Sequence, residues 1–72
     1  MLTRVSERLG NALKDRRAEL GLTQAELAER VGVSRKTVNT VENGVFVPST
    51  LLALKLAAAL ERTVEELFWV EA

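Results

Sequence analysis

Apolar residues along this chain fall into short stripes at helical spacing, most of them opened by a hydroxyl residue and closed by a glycine. Val5, Leu9, Ala12, Leu13 and Leu20 repeat at intervals that predict a first helix from Thr3 or Ser6 to Leu20, with Gly21 ending it. Thr23 followed three residues later by Glu26 is a capping box, so a second helix starts there and buries Leu27, Ala28 and Val31 before Gly32 stops it. Ser34 is placed to cap a third helix, Arg35 to about Asn43, with Val38 and Val41 inward and Gly44 as terminator. Phe46-Val47-Pro48 reads as a loop, because a proline disfavours helix at the residue before it. Ser49 caps a fourth helix that extends to about Leu60, and the box Thr63/Glu66 opens a short fifth through Leu67, Phe68 and Trp69. The expected architecture is all-α: a five-helix bundle in a single domain spanning residues 1–72.

The fourth helix is apolar nearly all round. Leu52, Ala53, Leu56 and Leu60 share the face expected in the core, Leu51, Leu54 and Ala58 lie almost opposite, and Lys55 is the only charge between Leu51 and Leu60. A helix of this kind is normally covered on both sides. A homodimer seam through Leu51, Leu54, Phe46 and Trp69 would cover the second face; so would the tail Phe68 to Val70, folding back over it.

Composition narrows the chemistry. Without cysteine there is neither a disulfide nor a thiolate metal site, and without histidine the chain lacks the usual neutral-pH proton carrier and the commonest metal ligand. No glycine-rich phosphate loop and no paired carboxylates in a plausible pocket remain to run catalysis, so an enzyme is not expected, nor a cofactor or metal. No apolar run approaches the roughly 18 residues of a membrane span, and Met1 to Gly10 lacks the apolar centre of a secretion signal, which makes a cytoplasmic, nucleoid-associated protein the expectation. Net charge is zero, which by itself argues against a nucleic-acid partner. Its distribution is uneven: residues 1–48 carry eight Lys/Arg against six acids, and residues 49–72 carry two against four.

Residues 23–44 meet the physical demands of a helix-turn-helix. Ala28 is small enough where two steeply crossed backbones approach, Gly32 suits a turn at positive φ, and Val38 and Val41 anchor the second helix while freeing its outer face. Leu27, Val31 and Val33 complete the wedge. The run from Gln24 through Val38 (QAELAERVGVSRKTV), with Glu42-Asn43-Gly44 after it, resembles the phage Cro and repressor family, also called the Xre family. The likeness covers roughly residues 9–68, including Leu20-Gly21-Leu22-Thr23-Gln24 at the start and Val64-Glu65-Glu66-Leu67-Phe68 at the close.

The resemblance implies a lambda-repressor-like DNA-binding domain and a role for particular residues. Gln24 is similar to the family's phosphate-binding and base-orienting glutamine, and Asn43 to a residue that touches the DNA backbone beyond the recognition helix. Arg17 and Glu42 resemble a partly buried ion pair joining the first helix to the end of the third, a structural role. Ser34, Arg35, Lys36, Thr37, Asn39 and Thr40 fall on the recognition helix. Their chemistry fits: Arg35 can hold guanine O6 and N7 for about 1–3 kcal/mol of discrimination, Asn39 can pair with adenine, and the methyl of Thr37 or Thr40 can meet a thymine methyl. Lys14, Arg16 and Arg30 are candidate phosphate contacts, which position without specifying. One departure stands out. Glu61-Arg62-Thr63 replaces the family's Gly-Val-Ser, which would put Glu61 near the left-handed region at roughly 1 kcal/mol and put Arg62 where an apolar residue normally tucks in.

The function expected on these grounds is sequence-specific binding of double-stranded DNA as a homodimer, in the manner of a repressor on a palindromic operator. The alternative is a protein-interaction module, such as an antitoxin or adaptor whose apolar rear face takes a toxin or effector protein.

Overall fold

The computed structural model describes residues 7–72, in the order β1 (Arg8–Asn11), α1 (Leu13–Glu19), α2 (Gln24–Val31), α3 (Arg35–Glu42), α4 (Thr50–Leu60), α5 (Val64–Leu67) and β2 (Phe68–Glu71). Four of the five helices start on a hydroxyl that accepts a backbone N–H: Thr23 from Glu26, Ser34 from Thr37, Ser49 from Leu52 and Thr63 from Glu66. At Thr23 and Thr63 the box is complete, the glutamate three residues on accepting the threonine N–H at 2.9 and 2.8 Å. These bonds hold the Glu26 and Glu66 carboxyls below the ordinary carboxylate value, the threonine backbone being the largest cause.

The two ends of the chain depart from the expected helices. Arg8–Asn11 is a strand, and the expected residues 3–6 of the first helix lie outside the described residues. The fifth helix stops at Leu67, and Phe68–Glu71 pairs antiparallel with β1 in the register Arg8↔Glu71, Leu9↔Val70, Gly10↔Trp69, Asn11↔Phe68. Local chemistry explains both changes. Gly10 weakens a helix by roughly 1 kcal/mol, Asn11 turns its Oδ1 to accept the Leu13 N–H at 3.1 Å, and Phe68-Trp69-Val70 are aromatic and β-branched residues that suit a pleated surface. The glycine is also a steric requirement: a Cβ at Gly10 would collide with the Trp69 indole nitrogen and the Glu71 carboxylate, which lie over it. Ala12 closes the ribbon onto the helices by donating its N–H to the Leu67 carbonyl at 2.9 Å.

Leu13, Leu27, Val38, Val41, Leu56, Leu60 and Leu67 are fully buried between the helices, with Leu22, Ala28, Val31, Leu52, Ala57 and Phe68 around them. Glu61 at the end of α4 has φ 57° and ψ 43°, the left-handed conformation expected where glycine is missing. Two carbonyl-rich helix ends are satisfied by side chains from far away in sequence. Asn11 Nδ2 donates to the Val41 and Glu42 carbonyls at 3.1 and 3.4 Å, and Arg16 Nε donates to the Leu60 carbonyl at 2.8 Å. Among the described residues no buried side-chain nitrogen or oxygen lacks a partner.

Candidate nucleic-acid interface

α2 and α3 are joined by a turn in which Gly32 sits at φ 75°, ψ 34° and Val33 returns its N–H to the Ala28 carbonyl at 3.0 Å. A side chain at Gly32 would meet no neighbour; the left-handed backbone alone calls for glycine. Ala28, 3% exposed, lies where α2 passes α3. Val38 and Val41 are the only buried residues of α3, so the remaining positions of the helix face outward or sideways.

Arg35 and Lys36 are exposed on the first turn of α3, with Ser34 exposed at its cap. The hydroxyls are more committed than the sequence implies. Ser34 Oγ accepts from Thr37 N at 3.1 Å and pairs with Thr37 Oγ1 at 2.9 Å, while Thr40 Oγ1 donates to the Thr37 carbonyl at 3.0 Å. Half-buried Thr37 and Thr40 therefore present mainly methyl groups and spare lone pairs.

Behind this face runs a chain of polar side chains. Arg17 and Glu42 form the expected ion pair, bidentate at 2.7 Å (Nε to Oε2) and 3.2 Å (to Oε1), with side chains 14% and 2% exposed. Arg17 also donates to the Leu22 carbonyl at 2.8 Å, so one guanidinium fixes α1, the end of α3 and the segment before α2. The hydrogen bond and charge of Glu42 hold Arg17 protonated more firmly than usual, against the opposing effect of burial. Gln24 Nε2 donates to Glu42 Oε1 at 3.0 Å, Asn39 Nδ2 approaches Gln24 Oε1 at 3.5 Å, and Asn43 Nδ2 donates to Asn39 Oδ1 at 3.3 Å. Gln24, Asn39 and Asn43, separate in sequence, thus form one connected group.

The candidate phosphate contacts divide. Lys14 and Arg30 are exposed, but Arg16 is committed to the Leu60 carbonyl and to Glu19 at 3.1 Å, with its side chain 14% exposed. That corrects its reading as a free phosphate contact: Arg16 caps the C-terminus of α4, where a cation is favoured. Sequence alone could not show this, since the carbonyl it meets is 44 residues away. Asn11 was missed for the same reason.

On α4, Leu51 and Leu54 are 64% and 56% exposed, and the tail does not cover them. Phe46 and Leu51 line one hollow with Val31, Val33 and Leu52. Leu54 lines a neighbouring groove of about 490 Å³ with Leu9, Val47, Pro48, Val64 and Phe68. Trp69 belongs to neither; it lies on the ribbon against Gly10, its Nε1 donating to Glu71 at 3.0 Å. Val45 and Val47, also exposed, extend the apolar surface beyond the expected residues. The signal was the unbroken run Val45-Phe46-Val47 in a loop.

Comparison with known proteins agrees with this geometry. A helix-turn-helix family model (HTH_3) matches residues 13–67. The chain is 48% identical over 61 residues to YgzD of Bacillus subtilis (strain 168), an uncharacterized HTH-type transcriptional regulator, covering 85% of this chain and 92% of that protein. It superposes on the restriction-modification controller protein C.AhdI from Aeromonas hydrophila with a TM-score of 0.71 at 39% identity, covering 75% of this chain and 82% of that one. On SinR, the master regulator for biofilm formation solved in complex with DNA, the TM-score is 0.69 at 31% identity, over 74% and 86% of the two chains. The chain belongs to the helix-turn-helix family of Xre, Cro- and repressor-like transcriptional regulators, DNA-binding proteins and not enzymes.

Proposed function

We propose that this regulator reads operator DNA with α3 in the major groove and does so as a homodimer, acting as a repressor. One observation carries the reading: Arg35 and Lys36 stand free on the first turn of α3 while Val38 and Val41 hold the helix from beneath. The first turn of a recognition helix is the part that enters a major groove. Arg35 takes a base edge, Lys36, Lys14 and Arg30 take phosphates, and Gln24, Asn39 and Asn43 present amides beside them. Thr37 and Thr40 contribute methyls, and Ser34 with both threonines the remaining lone pairs. The neutral net charge keeps nonspecific attraction weak, so base contacts carry much of the discrimination.

Homodimerisation rests on the uncovered leucines of α4. A second copy joined through Leu51, Leu54 and Phe46 removes an apolar surface that water covers poorly. It also sets two copies of α3 against half-sites about one helical turn apart, around 34–36 Å.

Selection of bound sequences from a random DNA pool, with the wild type and Arg35→Ala side by side, tests the reading head. The expected result is a palindromic consensus in which the variant relaxes one base pair per half-site, about 1–3 kcal/mol of discrimination, without loss of helix content. An unaltered consensus removes Arg35 from the base contacts. Sedimentation at micromolar concentration tests the assembly: a monomer overturns the homodimer, and capture of a different protein through the same leucines favours the adaptor or antitoxin alternative.

A further inference from the structure

We propose that Glu42 is a positioning residue that fixes the hydrogen-bonding polarity of the reading face, turning the amide nitrogens of Gln24, Asn39 and Asn43 toward itself and their oxygens away. This rests on the assignment of α3 as the DNA-contacting helix.

Side-chain amides can normally be turned over, exchanging donor for acceptor, because nitrogen and oxygen occupy nearly the same space. Glu42 removes that freedom. Its carboxylate only accepts, and the neighbouring Arg17 guanidinium only donates, so the pair cannot exchange roles. With the Glu42 side chain 2% exposed, bulk water hardly reaches the carboxylate, and Gln24 contacts it directly. Gln24 lies 3.0 Å from Glu42 Oε1. Turned over, it would set a carbonyl oxygen against a carboxylate oxygen at that separation, an unpaired and repulsive contact at a half-buried position. Its NH2 therefore faces Glu42 and its Oε1 faces Asn39.

The same logic passes outward. Asn39 is 3.5 Å from Gln24 Oε1 through its Nδ2, and its Oδ1 receives Asn43 Nδ2 at 3.3 Å. Every link donates toward Glu42, so one buried carboxylate orders three amides on two helices. The outcome at the surface is directional. Asn43 ends the chain with an outward oxygen, Gln24 Oε1 keeps a second lone pair, and Asn39 retains one N–H and one lone pair, the combination that adenine N6 and N7 require. Exocyclic amines of adenine or cytosine find acceptors on this face; phosphates, which only accept, are left to the spare N–H groups and to the cations.

The free protein decides the matter without DNA. In the wild type, one side-chain N–H of Gln24 should exchange slowly with solvent and show through-hydrogen-bond coupling to the Glu42 carboxylate carbon; peptide-like exchange of both amide protons overturns the proposal. A double-mutant cycle gives the sign. Asn39→Asp replaces a donor by an acceptor in front of Gln24 Oε1, so its melting gap below Asn39→Ala should be roughly 2–4 °C larger than the gap in a Gln24→Ala background, where only the poorer helix propensity of Asp and its repulsion by Glu42 remain. A gap that stays the same or widens when Gln24 is removed means that Gln24 does not present its oxygen to Asn39, and the proposal falls. Selection of DNA by the wild type separates the two claims. No preferred sequence would sink the operator-reading function, while the polarity would still be decided by the amide spectra and the melting cycle.

Discussion

Helix α3 buries only Val38 and Val41 and is polar at every other position, whereas α4 buries Leu52, Leu56, Ala57 and Leu60 and still leaves Leu51 and Leu54 in solvent. The two helices are held by different means. α3 is fixed by directional bonds: the Ser34 cap, Asn11 on its last carbonyls, and the Arg17–Glu42 pair. α4 is fixed by apolar contact, with Ser49 and Arg16 satisfying its ends. A helix anchored by few buried residues and located by hydrogen bonds can change its outer face freely, which suits sequence reading. A helix that contributes four core residues cannot.

The comparison can be broken from either side, and these are the largest effects expected. Arg17→Ala leaves the Glu42 carboxylate uncompensated and should cost about 3–5 kcal/mol, and Leu56→Ala opens a cavity under α4 at about 2–5 kcal/mol. Both are measured by urea unfolding at pH 7. Either loss is large for a domain of this size, whose total stability is of order 5 kcal/mol. The two should differ in origin: adding salt should leave the Leu56→Ala deficit unchanged.

A smaller effect on the fold, but a large one on assembly, is expected for Leu51→Glu. The side chain is already exposed, so the fold of the single chain should change by no more than about 0.5 kcal/mol, while sedimentation should show the proposed dimer dissociated. A variant that unfolds like wild type and stays dimeric would move the seam elsewhere.

Much of this contrast was legible in the residue order. The caps at Thr23, Ser34, Ser49 and Thr63 and the turn at Gly32 depend on interactions within four residues and were readable, and the helical period gave the inward set of α2 to α4 except that Ala57 is buried in α4 where Ala53 was expected. The left-handed Glu61 was legible too, though only through the resemblance. What stayed hidden depends on distant partners. Leu9, Ala12 and Leu13 fit a helical stripe, and nothing near them announces that Val70 and Trp69 will arrive as a neighbouring strand. Asn11 and Arg16 looked like ordinary surface residues until their carbonyl partners were in place. Of the proposed reading face, the exposure of Arg35 and Lys36 was legible; the order Glu42, Gln24, Asn39, Asn43 was not, because it crosses between helices.

Two finer tests sharpen the account of how α4 and α2 are bounded. Glu61→Gly removes a side chain from the left-handed region and should stabilise the chain by roughly 1 kcal/mol, or about 4–8 °C in melting temperature. The smallest effect belongs to the capping boxes. Because hydrogen bonds hold Glu26 below the ordinary value of 4.5, its contribution is complete above that pH and disappears as acidification protonates the folded form. Glu26→Gln keeps the box geometry without the titration, so stability measured from pH 6 to pH 3 should fall less steeply than in wild type.

The β1–β2 ribbon joins positions about sixty residues apart, whereas the α2–α3 unit closes within about twenty. Chain-closure entropy therefore favours assembly of the reading unit first and delays zippering of the ribbon. The indole of Trp69, the sole tryptophan, settles over Gly10 only at that last event. Its fluorescence is then a clock for completion, lagging the far-ultraviolet dichroism of the helices during refolding.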